Sequence, residues 1–252
     1  MSETAQQSQA GSPLGPPGDE STTSRAVRDM FVSVAPRYDF LNHFLLVGRD
    51  IAWRNATARA LRDTLARPGS LAADVCCGTG DLALALSRFS AGRVVGADFC
   101  HPMLELARDK AKGLNRPAFF LEADTLSLPF ADGSLDVVSI AFGFRNLANY
   151  SRGLQEMRRV LKTGGTVAIL EFSRIHVPII GPVFRFYFRK VLPRIGTLIS
   201  GVAGPYQYLP NSVARFPDQE SLSSLMREAG FANVRYRNFS LGSAALHMGQ
   251  KQ

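Results

Sequence analysis

The sequence predicts an α/β fold built on a doubly wound, mostly parallel sheet of seven strands that ends in an antiparallel hairpin. Three observations predict it. Between residues 71 and 171, short apolar runs alternate with stretches of helical spacing, the pattern of strands covered on both faces by helices. Gly78 and Gly80 turn the chain between the first of these strands and the helix that follows. Near the C-terminus two β-like runs, 232–239 and 243–249, lie close enough to pair as a hairpin.

Residues 1–24 are rich in Ser, Thr, Gly, Pro and Gln, with no aromatic residue and no Lys or Arg, and are expected to form a disordered tail. The remainder, 25–252, is expected to be one domain. It opens with a helical segment over 25–65, where Phe31, Val34, Tyr38, Leu41 and Leu45 recur every three or four residues. Pro36 predicts a break there, and a second helix is expected from Arg49 to Leu65. Strand 71–76 follows, then helix 81–89, strand 93–97, and helix 101–112 with Pro102 in its first turn and Gly113 past its end. Strands 118–122 and 135–141, helix 151–162 ahead of Gly164-Gly165, and strand 166–171 complete the alternation. An insertion covers 172–217. A last helix is expected over 218–229, with Asp218 as N-cap and Gly230 just past its end.

Composition excludes several classes. Hydrophobic residues make up 46% and charged residues 20% of 252, enough apolar material for a buried core. Three cysteines (Cys76, Cys77 and Cys100) are too few for a disulfide framework and suit a reduced intracellular setting. Four scattered His show no zinc-ligand spacing, so no metal is expected. No apolar run approaches the roughly 18 residues of a membrane span. The N-terminus has no basic and apolar regions of a signal peptide.

The chemistry gathers at strand ends. In DVCCGTGDL (74–82), a ligand can approach the backbone closely at Gly78 and Gly80. Gly78, Gly80 and Ala83 satisfy the dinucleotide fingerprint G-x-G-x-x-G/A. The next strand ends at Asp98, eighteen residues after Gly80, where a carboxylate can accept from both hydroxyls of an adenosine ribose. Both features fit NAD and S-adenosylmethionine alike. Asp81 favours the second, because a carboxylate at the helix N-terminus repels pyrophosphate, whereas S-adenosylmethionine presents cationic groups. After the third strand, Asp124 can bond an adenine amino group and the Thr125 amide a ring nitrogen.

GTGDL, Asp98, EADTLSLPF, LDVVSIAFGFRN, RVLKTGG and LEFS together resemble the ubiquinone/menaquinone biosynthesis methyltransferases. MFVSVAPRYDFLN upstream, and VLPRIG, YQYL, FPDQESL, AGF and ALHMG downstream, extend the resemblance from about Val27 to Lys251. FGFRN taken with Tyr38, Asp39 and Asn42 is specific to that family, whereas GTGDL is generic to methyltransferases. The resemblance implies a class I S-adenosylmethionine-dependent methyltransferase fold. It also implies methyl transfer to a ring carbon of a reduced polyprenyl quinone precursor. Cofactor contacts carry over to Thr79, Asp98, Asp124 and Thr125, beside the loop glycines Gly78 and Gly80. Ala141 stands where some members have a cofactor-contacting Ser, so that contact does not carry over. Demethylmenaquinol is the favoured substrate. A 2-methoxy-6-polyprenyl-benzoquinol or another small aromatic or lipid is the alternative, as is a noncatalytic adenosyl-binding membrane module.

Carbon methylation needs the quinol hydroxyl to lose its proton and the ring to sit against the methyl. Arg145 and Asn146 follow the fourth strand, where substrate should sit. Asn146 can donate to a quinol oxygen, and Arg145, always protonated, suits phenolate stabilisation rather than proton abstraction. Tyr38 or His247 can relay the proton; the sequence does not choose between them. Cys76 and Cys77 read as small buried hydrophobes.

Lys+Arg number 29 and Asp+Glu 21, a net +8. Glu3, Asp19 and Glu20 give the tail −3. Between Glu171 and Asp218 there is no acidic residue, and Arg174, Arg185, Arg189, Lys190, Arg194 and Arg215 stand among aromatic and aliphatic residues. That mixture suits a membrane interface or a cleft for a prenyl tail, and is too apolar for a nucleic-acid surface. A cytoplasmic protein, peripheral at the inner face of the cell membrane, is therefore expected, with a polyprenyl hydroquinone as substrate and no nucleic acid as partner. A homo-oligomer is compatible with the sequence.

Overall fold

The computed structural model describes residues 11–15, 19–35, 48–173 and 204–252. Seven strands form the sheet: β1 (Leu71–Val75), β2 (Arg93–Asp98), β3 (Phe119–Glu122), β4 (Leu135–Ala141), β5 (Leu161–Phe172), β6 (Phe231–Phe239) and β7 (Ala244–Lys251). Their order across the sheet is β3-β2-β1-β4-β5-β7-β6. The first five pair in parallel, while β7 runs antiparallel to both β5 and β6. The expected class I architecture and its terminal hairpin are what the chain forms.

Eight helices surround this sheet in the described residues: α1 (Glu20–Val34), α2 (Arg49–Ala60), α3 (Arg62–Leu65), α4 (Asp81–Ser87), α5 (His101–Ala111), α6 (Tyr150–Val160), α7 (Gly204–Arg215) and α8 (Gln219–Glu228). The strands alternate their side chains between two cores, as a period of two demands. Ala72, Val137, Ala168 and Leu170 join Trp53, Leu61, Leu82 and Leu86 on one face. Ala73, Val138, Val167 and Ile169 join Leu154, Met157, Leu222 and Met226 on the other. Most are fully buried, and each large aliphatic side chain so buried contributes roughly 1.5–3 kcal/mol.

Local chemistry sets the helix ends. Asp218 accepts from the Ser221 amide at 2.9 Å, and Gly230 takes φ +87° just past the last turn of α8. The helix expected over 49–65 is two pieces, because Leu61 (ψ −3°) closes the turn by donating to both Thr57 and Ala58 carbonyls at 3.2 Å.

The N-terminus departs from expectation. Asp19, expected within the tail, accepts from the Thr22 amide at 2.9 Å and starts α1 at Glu20. Upstream, the Ser12 amide donates to Leu147 O at 2.8 Å. Composition weighed the polar richness of the segment and overlooked a cap followed by a helix of 15 residues. The insertion shows a similar departure at its end, where α7 places Phe216 in the second core against Phe144 and Tyr150. The rest of that insertion, 174–203, lies outside the described residues, with Arg185, Arg189 and Lys190; so do Pro36 and Tyr38.

Candidate active site

The carboxyl ends of the parallel strands open onto a cleft. Its walls come from Cys76–Thr79 after β1, Asp98–Cys100 after β2, Ala123–Leu126 after β3, and Ala141–Gly143 with Asn146–Ala148 after β4. Ser24, Val27 and Phe31 of α1 close one side. This is the crevice that a doubly wound sheet opens where its strand order reverses.

The loop after β1 divides its two glycines by task. Gly78 has φ +55°, and a Cβ there would meet nothing within 4 Å, so the backbone is open to a ligand. Gly80 has φ +83° and does not line the cleft; a Cβ there would come within 2.8 Å of the Phe120 ring. It is a packing glycine. Two residues without that freedom also hold positive φ at strand ends, Cys76 at 49° and Phe142 at 58°. Gly143 leaves room for the Cys76 side chain, since a Cβ on it would lie 2.5 Å from the Cys76 Cβ. Backbone strain of this kind concentrates at functional sites.

Asp98 ends β2 with one carboxylate oxygen on the Gly78 amide and the other on the Cys100 amide, each at 2.8 Å. Burial raises its pKa to about 6 against the opposing pull of those amides. Each oxygen retains a lone pair to accept a further hydroxyl. Asp124 accepts from the Leu126 amide at 2.9 Å, and Thr125 Oγ1 lies 3.2 Å from Cys76 Sγ. Lys110 donates to Thr79 Oγ1 at 2.9 Å and to Asp81 Oδ1 at 2.6 Å. Arg54, paired with Asp50 at 2.5 Å, lies 3.9 Å from Asp81. The charge of Asp81 is thus met by two cations, and it does not discriminate between a phosphate and a sulfonium in the way expected from sequence.

Thr79, Gly78, Asp98, Asp124, Thr125 and Asn146 therefore share the cleft, with Ala141 beside them. Arg145 does not reach it. Its guanidinium is turned inward onto Glu171 Oε1 at 2.8 Å, onto the Phe142 carbonyl, and over the Phe172 ring at 5.3 Å. A buried carboxylate on β5 outbids an open cleft for a guanidinium, so the expected contact with substrate falls to its neighbour. His247 is also remote from the cleft, buried in β7 with Nε2 2.9 Å from Gln219 O. Burial lowers its pKa to about 4, which keeps it neutral.

Sequence reasoning overlooked Asp74. It lies 1% exposed in β1, lines the cleft, and accepts from Ser139 Oγ at 2.7 Å. Burial raises its pKa to about 7. An acid inside an otherwise apolar strand was the available signal.

The model of the ubiE/COQ5 methyltransferase family matches residues 19–251. The chain belongs to the ubiE/COQ5 methyltransferase family. Curated relatives agree across nearly the whole family domain. A demethylmenaquinone methyltransferase of Deinococcus radiodurans is 47% identical over 94% of this chain and 97% of its own. One of Thermus thermophilus is 48% identical over 88% of this chain and 100% of its own. Among solved structures, a SAM-dependent methyltransferase from Thermotoga maritima covers 90% of this family member and 100% of its own chain, at TM-score 0.64 and 21% identity. The cyclase SpnF covers 96% and 99%, at TM-score 0.67 and 19% identity. A cyclase on the same scaffold shows that these two likenesses carry the fold alone.

Proposed function

We propose that this family member transfers the methyl group of S-adenosylmethionine to a ring carbon of demethylmenaquinol, the methylation of menaquinone biosynthesis. The observation that carries this reading is the cleft itself. On one wall Asp98 is braced by two backbone amides, with acceptor capacity left for a ribose. On the same cleft Asn146 offers an amide to a substrate oxygen. Gly78, open where a side chain would stand, suits the amino-acid end of the donor. S-adenosylmethionine supplies an electrophilic sulfonium methyl for in-line displacement.

The chain's own residues do the rest. Asp98 and Asp124 orient the adenosyl moiety, with Thr79 and Thr125 beside them. Val27, Phe31, Phe142 and Leu147 give the cleft apolar walls for a quinol ring and exclude water around it. Loss of the quinol proton to solvent makes the ring carbon nucleophilic, and Asn146, by donating to the resulting quinolate oxygen, stabilises that charge; once methylated, the ring carbon gives up its own hydrogen as a proton to solvent. Arg145 supports that step from behind, by holding the turn that carries Asn146.

A quinol with a polyprenyl tail resides in the bilayer. Among the described residues no helix is long and apolar enough to cross a membrane. The basic, aromatic insertion over 172–217 supplies peripheral contact with the inner membrane face in this reading. Competition between the two quinol classes tests the assignment. The purified protein, given S-adenosylmethionine and equal amounts of a demethylmenaquinol and a methoxy-polyprenyl-benzoquinol, should methylate the naphthoquinol with the higher kcat/KM. The reverse preference moves the protein to the ubiquinone pathway.

A further inference from the structure

Both ends of the Asn146 amide have partners behind the cleft. Its Nδ2 donates to Phe142 O at 3.4 Å, and its Oδ1 accepts from Tyr208 Oη at 2.8 Å. A carbonyl oxygen can only accept, so Phe142 O fixes which end of the amide faces it. Oδ1 can likewise only accept, so the phenolic hydrogen of Tyr208 is committed to Asn146. Ser12 Oγ lies 3.0 Å from the Tyr208 oxygen. With that hydrogen spent, the Ser12 hydroxyl is the donor into the phenol.

A directed chain results, from Ser12 through Tyr208 to Asn146, with each hydroxyl polarising the next. All three side chains are buried, at 8% exposure each, and they come from segments far apart in sequence. Ser12 is tied down by its own amide on Leu147 O, and Tyr208 sits on α7. With Oδ1 and one Nδ2 hydrogen engaged, the second Nδ2 hydrogen is the one the amide can present to the cleft. Rotating the amide would set Oδ1 against Phe142 O, two acceptors facing each other.

We propose that Tyr208 is a positioning residue for methyl transfer, orienting and polarising the Asn146 amide toward the substrate oxygen. This rests on the role given to Asn146 above. No bond to Tyr208 itself is made or broken in the reaction.

A double-mutant cycle tests it, with kcat, KM for S-adenosylmethionine and the pH profile of kcat read for Asn146→Ala, Tyr208→Phe and the pair. Tyr208→Phe keeps the ring in place and removes only the hydroxyl. It should lower kcat by about ten-fold, the size of one well-aligned hydrogen bond, leave KM for S-adenosylmethionine unchanged, and move the rise of kcat to higher pH. On the Asn146→Ala background it should change nothing further. Ser12→Ala breaks the same chain from its far end and should shift the profile in the same direction, by less. If Tyr208→Phe lowers kcat by an equal factor in both backgrounds, or leaves both pH profiles unmoved, the positioning role is overturned. If Asn146→Ala itself keeps full kcat, the assignment of Asn146 fails first, and that failure is seen without reference to Tyr208.

Discussion

At Asp98, burial and backbone amides pull in opposite directions and the balance is readable in solution. Burial raises its pKa to about 6, while the Gly78 and Cys100 amides favour the charged form. In the proposed role an ionised Asp98 accepts from the donor's ribose, and a protonated one loses that capacity on one oxygen. Affinity for S-adenosylmethionine should therefore hold above pH 6 and weaken as pH falls through about 6, by up to ten-fold per unit. Calorimetric titration checks this, and Asp98→Asn should bind weakly at every pH. The position of Asp98 was legible in the sequence, because a strand end eighteen residues past a glycine loop is set by the length of one helix and one strand. Arg145 was legible as a place but not as a contact. Its partner, Glu171, stands twenty-six residues away on β5, and sequence spacing says nothing of which side a guanidinium will turn. Tyr208 and Ser12 were invisible for the same reason, since their meeting depends on a tertiary approach across 196 residues.

Among the elements, the turn after β4 depends on one buried ion pair. Glu171 Oε2 accepts from the Arg145 amide at 3.2 Å while Oε1 holds the guanidinium, so the same carboxylate fixes backbone and side chain. Glu171 is 1% exposed, and its removal strands a charge indoors. Glu171→Ala should cost roughly 3–5 kcal/mol in urea unfolding with an unchanged denaturant slope. Replacing both partners with Met and Leu should recover most of that loss. Helix α1 is the other element with consequence for the site. It is stitched across the cleft by Glu20, which accepts from Asn149 at 2.9 Å and pairs with Arg152 at 2.6 Å, and by Arg28, 3.2 Å from Glu122. These exposed pairs contribute little individually. The buried docking of Ala35 with Cys100 and Met103, and of Phe31 beside them, holds α1 in place. The sheet's strands were legible because short apolar runs alternate with stretches of helical spacing, whereas their order across the sheet was set by tertiary pairing. The start of α1 was not, because a single capping aspartate decided it inside a segment whose composition reads as tail.

Over the whole molecule, the net +8 is an uneven sum. The acidic residues of the first 24 positions take away three charges, and the acid-free stretch before Asp218 adds six. If that stretch meets a membrane, binding to vesicles containing anionic lipid should weaken with added salt, and neutralising Arg185, Arg189 and Lys190 together should reduce it. Sedimentation with vesicles reads both effects; partitioning indifferent to salt and to the three substitutions contradicts the reading. The central claim is chemical, and isotopic labelling reaches it directly. The protein is incubated with S-adenosylmethionine bearing a carbon-13 methyl and with demethylmenaquinol, and the product is read by mass spectrometry and carbon NMR. The expected result is one labelled methyl on the quinone ring carbon. A label on a quinol oxygen, or an unmodified quinol beside protein that binds S-adenosylmethionine normally, would contradict it.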